Sequence, residues 1–332
     1  MPQFRQNFIT NEWVIVAPER AKRPDQFAKE HEQRAKRAVH DANCPFCPGN
    51  EDKTPPATYV VNEGKSWRLR VVPNKFAAVN PDLIPKREPV GKFLSAEGFG
   101  IAEVIIENPL HNQSLATMPI DFMRDVLKTY KERYAALATN EHVNLVTIFK
   151  NHGPKAGTSL EHPHSQIIAT PVVPPHVRYL LQQAILYHDT YGNCPHCVML
   201  EEELKQKDRI IFEGKHFVTF CSFAARTPFE TRIFPKRHSS RFDSITDEEL
   251  DELAYALRTL LRKLYAGLND PDYNFVISSS PTSDGELHYE HWRLVIVPKL
   301  TTPAGFEIGT GVFINTVPPE DCAKFLRDIN VE

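Results

Sequence analysis

The sequence has little glycine and no glycine-rich phosphate loop. Fourteen glycines stand against 27 prolines in 332 residues, and neither GxxxxGK(S/T) nor GxGxxG occurs. P-loop and Rossmann readings therefore have no motif to rest on. No apolar run approaches the length of roughly eighteen residues that a membrane-spanning helix needs. The opening MPQFRQNFITNEWVIV lacks the basic-then-apolar layout of a secretory signal, so the chain is expected to be cytosolic. An excess of positive charge is missing too. The net charge is −3, which argues against non-specific nucleic-acid binding as the main activity. The charged stretch from Lys22 to Arg37 mixes both signs and reads as a solvated loop or helix face rather than a docking patch.

Cysteine is scarce, but its positions are informative. Four of the six cysteines form two CxxC pairs, Cys44–Cys47 and Cys194–Cys197, while Cys221 and Cys322 stand alone. Disulfides are not expected in a cytosolic chain of this size, which leaves a redox motif or half a zinc site. A redox CxxC opens a helix in a thioredoxin-like unit. Cys44 instead lies between a polar stretch and the loop-like PGNEDKTPP. Zinc is the better reading wherever histidines complete the set.

The order of elements repeats, and the repeat supplies those histidines. In the first half, strand-like WRLRVVPNKFAAV and GIAEVIIENPLH precede an amphipathic helix with Phe122, Val126, Leu127, Tyr130 and Tyr134 near helical spacing. VNLVTIF and SQIIATP follow. In the second half, HFVTFCSFAA and FETRIFPKRH precede a helix opening with Thr246 and Glu249, a capping box. YNFVISSSP and HWRLVIVP close the unit. The expected fold is α+β, with two tandem units over residues 1–178 and 179–332. Each is an antiparallel sheet with a packed helix, together forming a duplicated half-barrel-like arrangement. His111 lies 51 residues before His162, and His238 lies 53 before His291. Each unit thus offers a Cys₂His₂ set: Cys44, Cys47, His111 and His162, then Cys194, Cys197, His238 and His291. Four such ligands close a tetrahedral shell around Zn²⁺, so two structural zinc ions per chain are expected.

His164 is left over. If HPHSQ forms a strand, His162 and His164 share a face, yet the second unit has Arg293 at the equivalent place. An imidazole present in one unit only, beside a duplicated scaffold site, points to chemistry; a plain polar strand residue is the bland alternative. A neutral imidazole with one fixed N–H is a competent nucleophile toward phosphorus. Its orienting carbonyl is expected from the Gly157–Glu161 turn. Gln166 and Ser159 are candidate donors to phosphate oxygens, and Arg20 and Arg23 are candidates for a second phosphate.

These residues carry a resemblance. HPHSQ, RAKRP, CPFC, PNKFAAV, NHGPKAGTS and GFEIGTGVFINTVPPEDCAKFLRD, in that order, resemble the galactose-1-phosphate uridylyltransferase family, a branch of the histidine-triad superfamily, over essentially the whole chain. The resemblance implies two histidine-triad-like units per subunit and a homodimer that assembles its active site between chains. It makes His164 the residue that takes the nucleotidyl group, His162 a zinc ligand and Gln166 the support of the transferred phosphoryl. Asn74, Asn151 and Ser159 fall on nucleotide and phosphate contacts, with Gly157 in the same loop, and Arg20 and Arg23 on the paired arginines. Phe306, Thr310 and Gly311 fall in the hexose-contacting region.

Two departures bear on the acceptor. Ser165 follows the nucleophile where the family usually has Gly, and Thr310 and Gly311 replace a Tyr-Glu pair. Both features resemble the ADP-glucose phosphorylase branch. The expected function is transfer of a nucleoside monophosphate from an NDP-sugar such as UDP-glucose to a hexose 1-phosphate such as galactose 1-phosphate. A covalent nucleotidyl-His164 intermediate would carry it. The alternatives are ADP-glucose phosphorylase, with inorganic phosphate as acceptor, and a zinc-stapled module that binds nucleotide without catalysis. A zinc hydrolase would need an open metal position, which two four-ligand sets do not provide. Neither a nucleic acid nor a membrane is an expected partner.

Overall fold

The computed structural model describes residues 1–20, 27 and 37–331. Ten strands form one antiparallel sheet. Its first-half strands are Tyr59–Glu63 (β3), Ser66–Pro73 (β4), Ile101–Ile106 (β7), Leu145–His152 (β8) and His164–Thr170 (β9). Its second-half strands are Ile210–Glu213 (β10), Phe217–Cys221 (β11), Thr231–Pro235 (β12), Tyr273–Ser278 (β13) and Arg293–Pro298 (β14). Outside it, Gln3–Gln6 (β1) and Trp13–Val16 (β2) form a hairpin that Phe313–Asn315 (β15) joins in parallel, and Arg87–Val90 (β5) pairs with Phe93–Ala96 (β6).

The spatial order of the large sheet is β10-β11-β12-β14-β13-β8-β9-β7-β4-β3. Read from the middle outward, both halves run the same way: β8-β9-β7-β4-β3 and β13-β14-β12-β11-β10. The duplication legible in the sequence is thus a two-fold relation about the β8–β13 seam, where Lys150 lies opposite Phe275 and Asn151 opposite Asn274.

Each half contributes one long helix, Ile120–Ala138 (α1) and Asp247–Leu268 (α4). Between them in sequence come Pro175–Tyr191 (α2) and Pro195–Gln206 (α3). Gly305–Thr310 (α5) and Pro319–Asp328 (α6) follow. α1 buries Met123, Val126, Leu127, Tyr130 and Tyr134, and α4 buries a leucine stripe from Leu250 to Leu268. These faces share one apolar core with Ile167 and Ala169 of β9 and Leu294 and Ile296 of β14. The expected capping box starts α4: the Glu249 N–H donates to Thr246 Oγ1 at 3.2 Å, and the Thr246 N–H donates to Glu249 Oε2 at 2.8 Å. No helix among the described residues is long and apolar enough to cross a membrane.

Two local expectations need correction. His162 is not on a strand. It sits at a bend two residues before β9 begins at His164, and His291 likewise precedes β14. Pro163 cannot donate to a ladder, and its carbonyl takes only the Glu107 N–H at 3.1 Å before regular pairing starts. The two CxxC pairs also differ. Cys44–Cys47 lies in turns, whereas Cys194 is the N-cap of α3 and Cys197 lies in its first turn.

Candidate active site and metal clusters

The first Cys/His set gathers as its spacing suggests. Ligand atoms of Cys44, Cys47, His111 and His162 all lie within 4.8 Å of one another, and all four residues are buried. Cys47 Sγ is 3.6 Å from Nδ1 of both His111 and His162. The far side of the His162 ring is fixed by Nε2, which donates to the Asn108 carbonyl at 2.8 Å. Such a second bond sets the tautomer and aims Nδ1 at the cluster. Burial pushes the Cys44 thiol up to about 11 and His162 down to about 4. Burial thus disfavours a bare Cys44 thiolate here, and a bound cation would reverse that by stabilising the anion. The donor set fits a tetrahedral metal of borderline softness.

The second set gathers three of its four residues. Cys194, Cys197 and His238 cluster within the same limit, with Cys197 Sγ 3.3 Å from His238 Nδ1 and His238 Nε2 donating to the Leu287 carbonyl at 3.0 Å. His291 stands beside them. Its ring centroid is 5.5 Å from that of His238, against 5.3 Å for His111 and His162. Its Nδ1 bonds the Trp292 carbonyl at 3.1 Å, while its buried Nε2 has no hydrogen-bond partner.

His164 lies next to the first cluster without joining it. Its Nδ1 donates to the carbonyl of His162 at 2.8 Å. The orienting carbonyl is thus two residues upstream, and the Gly157–Glu161 turn does not supply it. The ring packs edge-on against Phe46, 5.4 Å between centroids. Burial, then the Lys150 ammonium, hold the imidazole below its usual pKa, so it is neutral near pH 7. With Nδ1 carrying the proton, Nε2 keeps its lone pair. Behind the strand, Lys150 Nζ donates to the His164 carbonyl at 2.8 Å and to Glu107 Oε2 at 2.6 Å. Tyr130 OH bridges Glu107 and Ser165 at 3.2 and 2.7 Å. Sequence alone does not show this network: Glu107, Tyr130 and Lys150 lie far apart along the chain and carry no motif, and only Ser165 belongs to HPHSQ.

His164 opens onto two adjoining lobes of one cleft. One is lined by Phe46, Lys53, Asn74, Lys75, Ser159 and Gln166, the other by Arg37, Lys150, Asn151, His152 and Ser159. Alternation along β9 puts His164 and Gln166 on one face and the core residue Ile167 on the other. Asn74 caps its own turn through Oδ1 to the Phe76 N–H at 3.0 Å, and Asn151 Oδ1 accepts from Asn274 Nδ2 at 2.8 Å. Gly157 ends a short 3₁₀ turn at φ +87°, a conformation that favours glycine. Arg37 was grouped with a solvated segment in the sequence, yet it lines the cleft and its Nη1 donates to the Glu161 carbonyl at 2.8 Å. Arg23 and the Arg20 side chain lie outside the described residues. Phe306, Thr310 and Gly311 belong to α5 and its end, are exposed, and do not line the cleft of their own chain. The Thr310 hydroxyl is spent within its helix, donating to the Phe306 carbonyl at 2.7 Å.

A buried imidazole with a free ring nitrogen thus stands beside a Cys₂His₂ cluster and a cation-lined cleft. Residues 1–174 match the model of the galactose-1-phosphate uridyl transferase N-terminal domain, and residues 113–329 match a domain of unknown function, DUF4921. The chain belongs to the galactose-1-phosphate uridylyltransferase family. It is 39% identical to ADP-glucose phosphorylase of Arabidopsis thaliana over 99% of its own length and 93% of that protein's. It is 30% identical to galactose-1-phosphate uridylyltransferase of Thermotoga maritima over the whole of both. Among solved structures, an Arabidopsis thaliana ADP-glucose phosphorylase with bound ADP-glucose superposes over all of both chains with a TM-score of 0.84 at 37% identity. A uridylyltransferase structure does so over 98% of this chain and 97% of its own with 0.76 at 29%. The chain is a nucleotidyltransferase of this family.

Proposed function

We propose that the protein moves a nucleoside monophosphate from an NDP-sugar to a phosphate-bearing acceptor through a covalent nucleotidyl-His164 intermediate. The observation that carries this is the His164 ring, fixed through Nδ1 by the His162 carbonyl with Nε2 free at the cleft. In the first step the Nε2 lone pair attacks the α-phosphorus. A P–N bond forms, the bridging P–O bond breaks and sugar 1-phosphate leaves. The imidazolium so formed keeps its proton on Nδ1, which donates to the His162 carbonyl, and that bond steadies the developing charge. In the second step an acceptor phosphate oxygen attacks the same phosphorus, the P–N bond breaks and neutral His164 returns. Gln166 and Ser159 serve the transferred phosphoryl. Arg37, Lys53 and Lys75 add charge that suits the other phosphate oxygens, alongside the Arg20, Arg23, Asn74, Asn151 and Gly157 contacts implied by the resemblance.

The Cys₂His₂ sets would hold zinc as a structural ion, tying each CxxC segment to the histidines that flank the sheet. The two halves of the duplication are proposed as catalytic and partner units; the expected boundary between 178 and 179 falls inside the continuous helix α2, so the division belongs at its start, before Pro175. Phe306, Thr310 and Gly311, exposed and away from their own cleft, suit contribution to the site of a second subunit in a homodimer. Six free cysteines among the described residues suit a reducing, cytosolic location.

Two acceptors fit the chemistry. The 39% identical relative and the structure with bound ADP-glucose favour ADP-glucose with inorganic phosphate, giving ADP and glucose 1-phosphate. The family profile and the Thermotoga maritima relative support UDP-glucose with galactose 1-phosphate. Incubating the pure protein with each NDP-sugar, with phosphate or galactose 1-phosphate, decides between them. The expected result is higher kcat/KM for ADP-glucose and phosphate; a strong preference for galactose 1-phosphate restores the uridylyltransferase reading.

A further inference from the structure

The duplication of the sheet gives the His164 cleft a twin. Val104 lies opposite Gln166 across β7 and β9, and in the other half Arg232 lies opposite Val295 across β12 and β14. Phe46 of the first CxxC corresponds to His196 of the second, and His164 to Arg293. The correspondence extends to the backbone: Arg293 Nη1 donates to the His291 carbonyl at 3.0 Å, as His164 Nδ1 does to that of His162. His196, Arg232, Arg293 and Val295 line a single cavity of about 370 Å³, a volume within the range of small-molecule sites. A phenyl ring, a valine and a nucleophile have been exchanged for an imidazole and two guanidinium groups.

The cavity's polar groups are not all satisfied. Arg232 Nε, His196 Nδ1 and Thr227 Oγ1 are each buried with no hydrogen-bond partner, and all three residues line this cavity. The His196 side chain is only 3% exposed, and its Nε2 faces Glu290 at 3.4 Å. Buried polar groups without partners are few in native proteins and ask for a ligand or water. Carboxylates engage only part of each guanidinium fork: Arg226 Nη2 meets Glu12 at 2.6 Å, Arg232 Nη2 meets Glu230 at 3.2 Å, and Arg293 Nη1 meets Glu290 at 2.7 Å. A guanidinium has five N–H donors, so donors remain, and Lys299 adds a fourth cation to the lining.

We propose that this cavity is a second, non-catalytic site for a phosphate-bearing sugar or nucleotide. The phosphate sits against Arg226 and Arg232, a ligand hydroxyl donates to His196 Nδ1, and another pairs with Thr227. Arg293 has no lone pair to take a phosphoryl group, so the ligand binds without covalent transfer. The assignment stands on the cavity's own groups and does not depend on the role of His164.

Isothermal titration of the full chain with AMP, glucose 1-phosphate and inorganic phosphate, each alone, tests it. The variants are Arg226→Ala, Lys299→Glu and Thr301→Trp, the last filling space at the cavity lining; circular dichroism and metal content report folding for each. At least one phosphate ester should show a binding class that every folded variant weakens ten-fold or more. An Arg37→Ala/Lys75→Ala protein, altered only in the His164 cleft, should retain that class, which separates it from the catalytic cleft. Ester binding that no folded variant changes overturns the proposal and leaves a water-filled cavity. Inorganic phosphate binding as tightly as the esters overturns the sugar or nucleotide assignment.

Discussion

At the scale of residues, the account rests on how completely His164 is held. One ring nitrogen is committed to a backbone carbonyl, the ring edge meets Phe46, and the residue's own carbonyl accepts from Lys150. Preorganisation of this kind removes part of the entropic barrier to in-line attack. Lys150 is fully buried beside Glu107, and burial draws its ammonium below the usual lysine value against the pull of that carboxylate. Lys150→Met would leave Glu107 charged and unpaired in the core, which costs about 3–5 kcal/mol. Chemical denaturation should register that loss; a change under about 1 kcal/mol would mean that water or another cation already serves Glu107. The sequence made His164 legible because HPHSQ is short and contiguous. It could not reveal Lys150 and Glu107, whose partnership exists only once β8 and β9 pair and the end of β7 folds beside them.

At the scale of elements, the strongly patterned segments are where sequence reading succeeded. The leucine stripe and capping box of α4 are local signals, and both are present in the fold. α2 carries apolar residues at helical spacing, Val177, Leu180, Leu181, Ala184 and Ile185, yet it fully buries only Ala184 and has no counterpart in the repeat that organises the rest of the chain. The Cys/His spacing was legible, but strand alternation was the wrong reason for His162, since Pro163 delays the strand. The α4 cap also carries a pH dependence. Burial opposes ionisation of Glu249, but the Arg237 guanidinium and the Thr246 N–H outweigh it and hold its carboxyl below the ordinary glutamate value. A depressed folded pKa stabilises the protein above the unfolded value, about 4.3, and that stabilisation is lost as pH falls through the folded value. The stability gap between wild type and Glu249→Gln should therefore be full at pH 6–7 and shrink as pH drops below about 4. A gap that stays constant from pH 7 to pH 3 would show that the carboxylate charge contributes nothing at the cap.

At the scale of the whole molecule, a duplicated sheet carries an imidazole, His164, in one half and a guanidinium, Arg293, at the equivalent place in the other. Both halves keep a Cys/His cluster, so about two zinc ions per chain are expected. Cys44→Ser should lose one ion and much thermal stability, because structural zinc contributes folding free energy directly. Elemental analysis of a folded, active preparation without zinc would remove the assignment. A single ion per chain would mark the second cluster, where His291 stands aside, as the degenerate one. The order of elements announced the duplication, but the seam that joins β8 to β13 is a long-range pairing with no local signal. The same asymmetry yields the most direct test. Wild type incubated without acceptor, with ADP-glucose or UDP-glucose labelled in the base, should acquire one label per chain that is acid-labile and base-stable, as a phosphoramidate is. His164→Asn should fold, keep its zinc, take no label and lose turnover by several orders of magnitude. No label on the wild type, or near-normal turnover in His164→Asn, would contradict the nucleophile and make direct transfer between the two substrates the correct account.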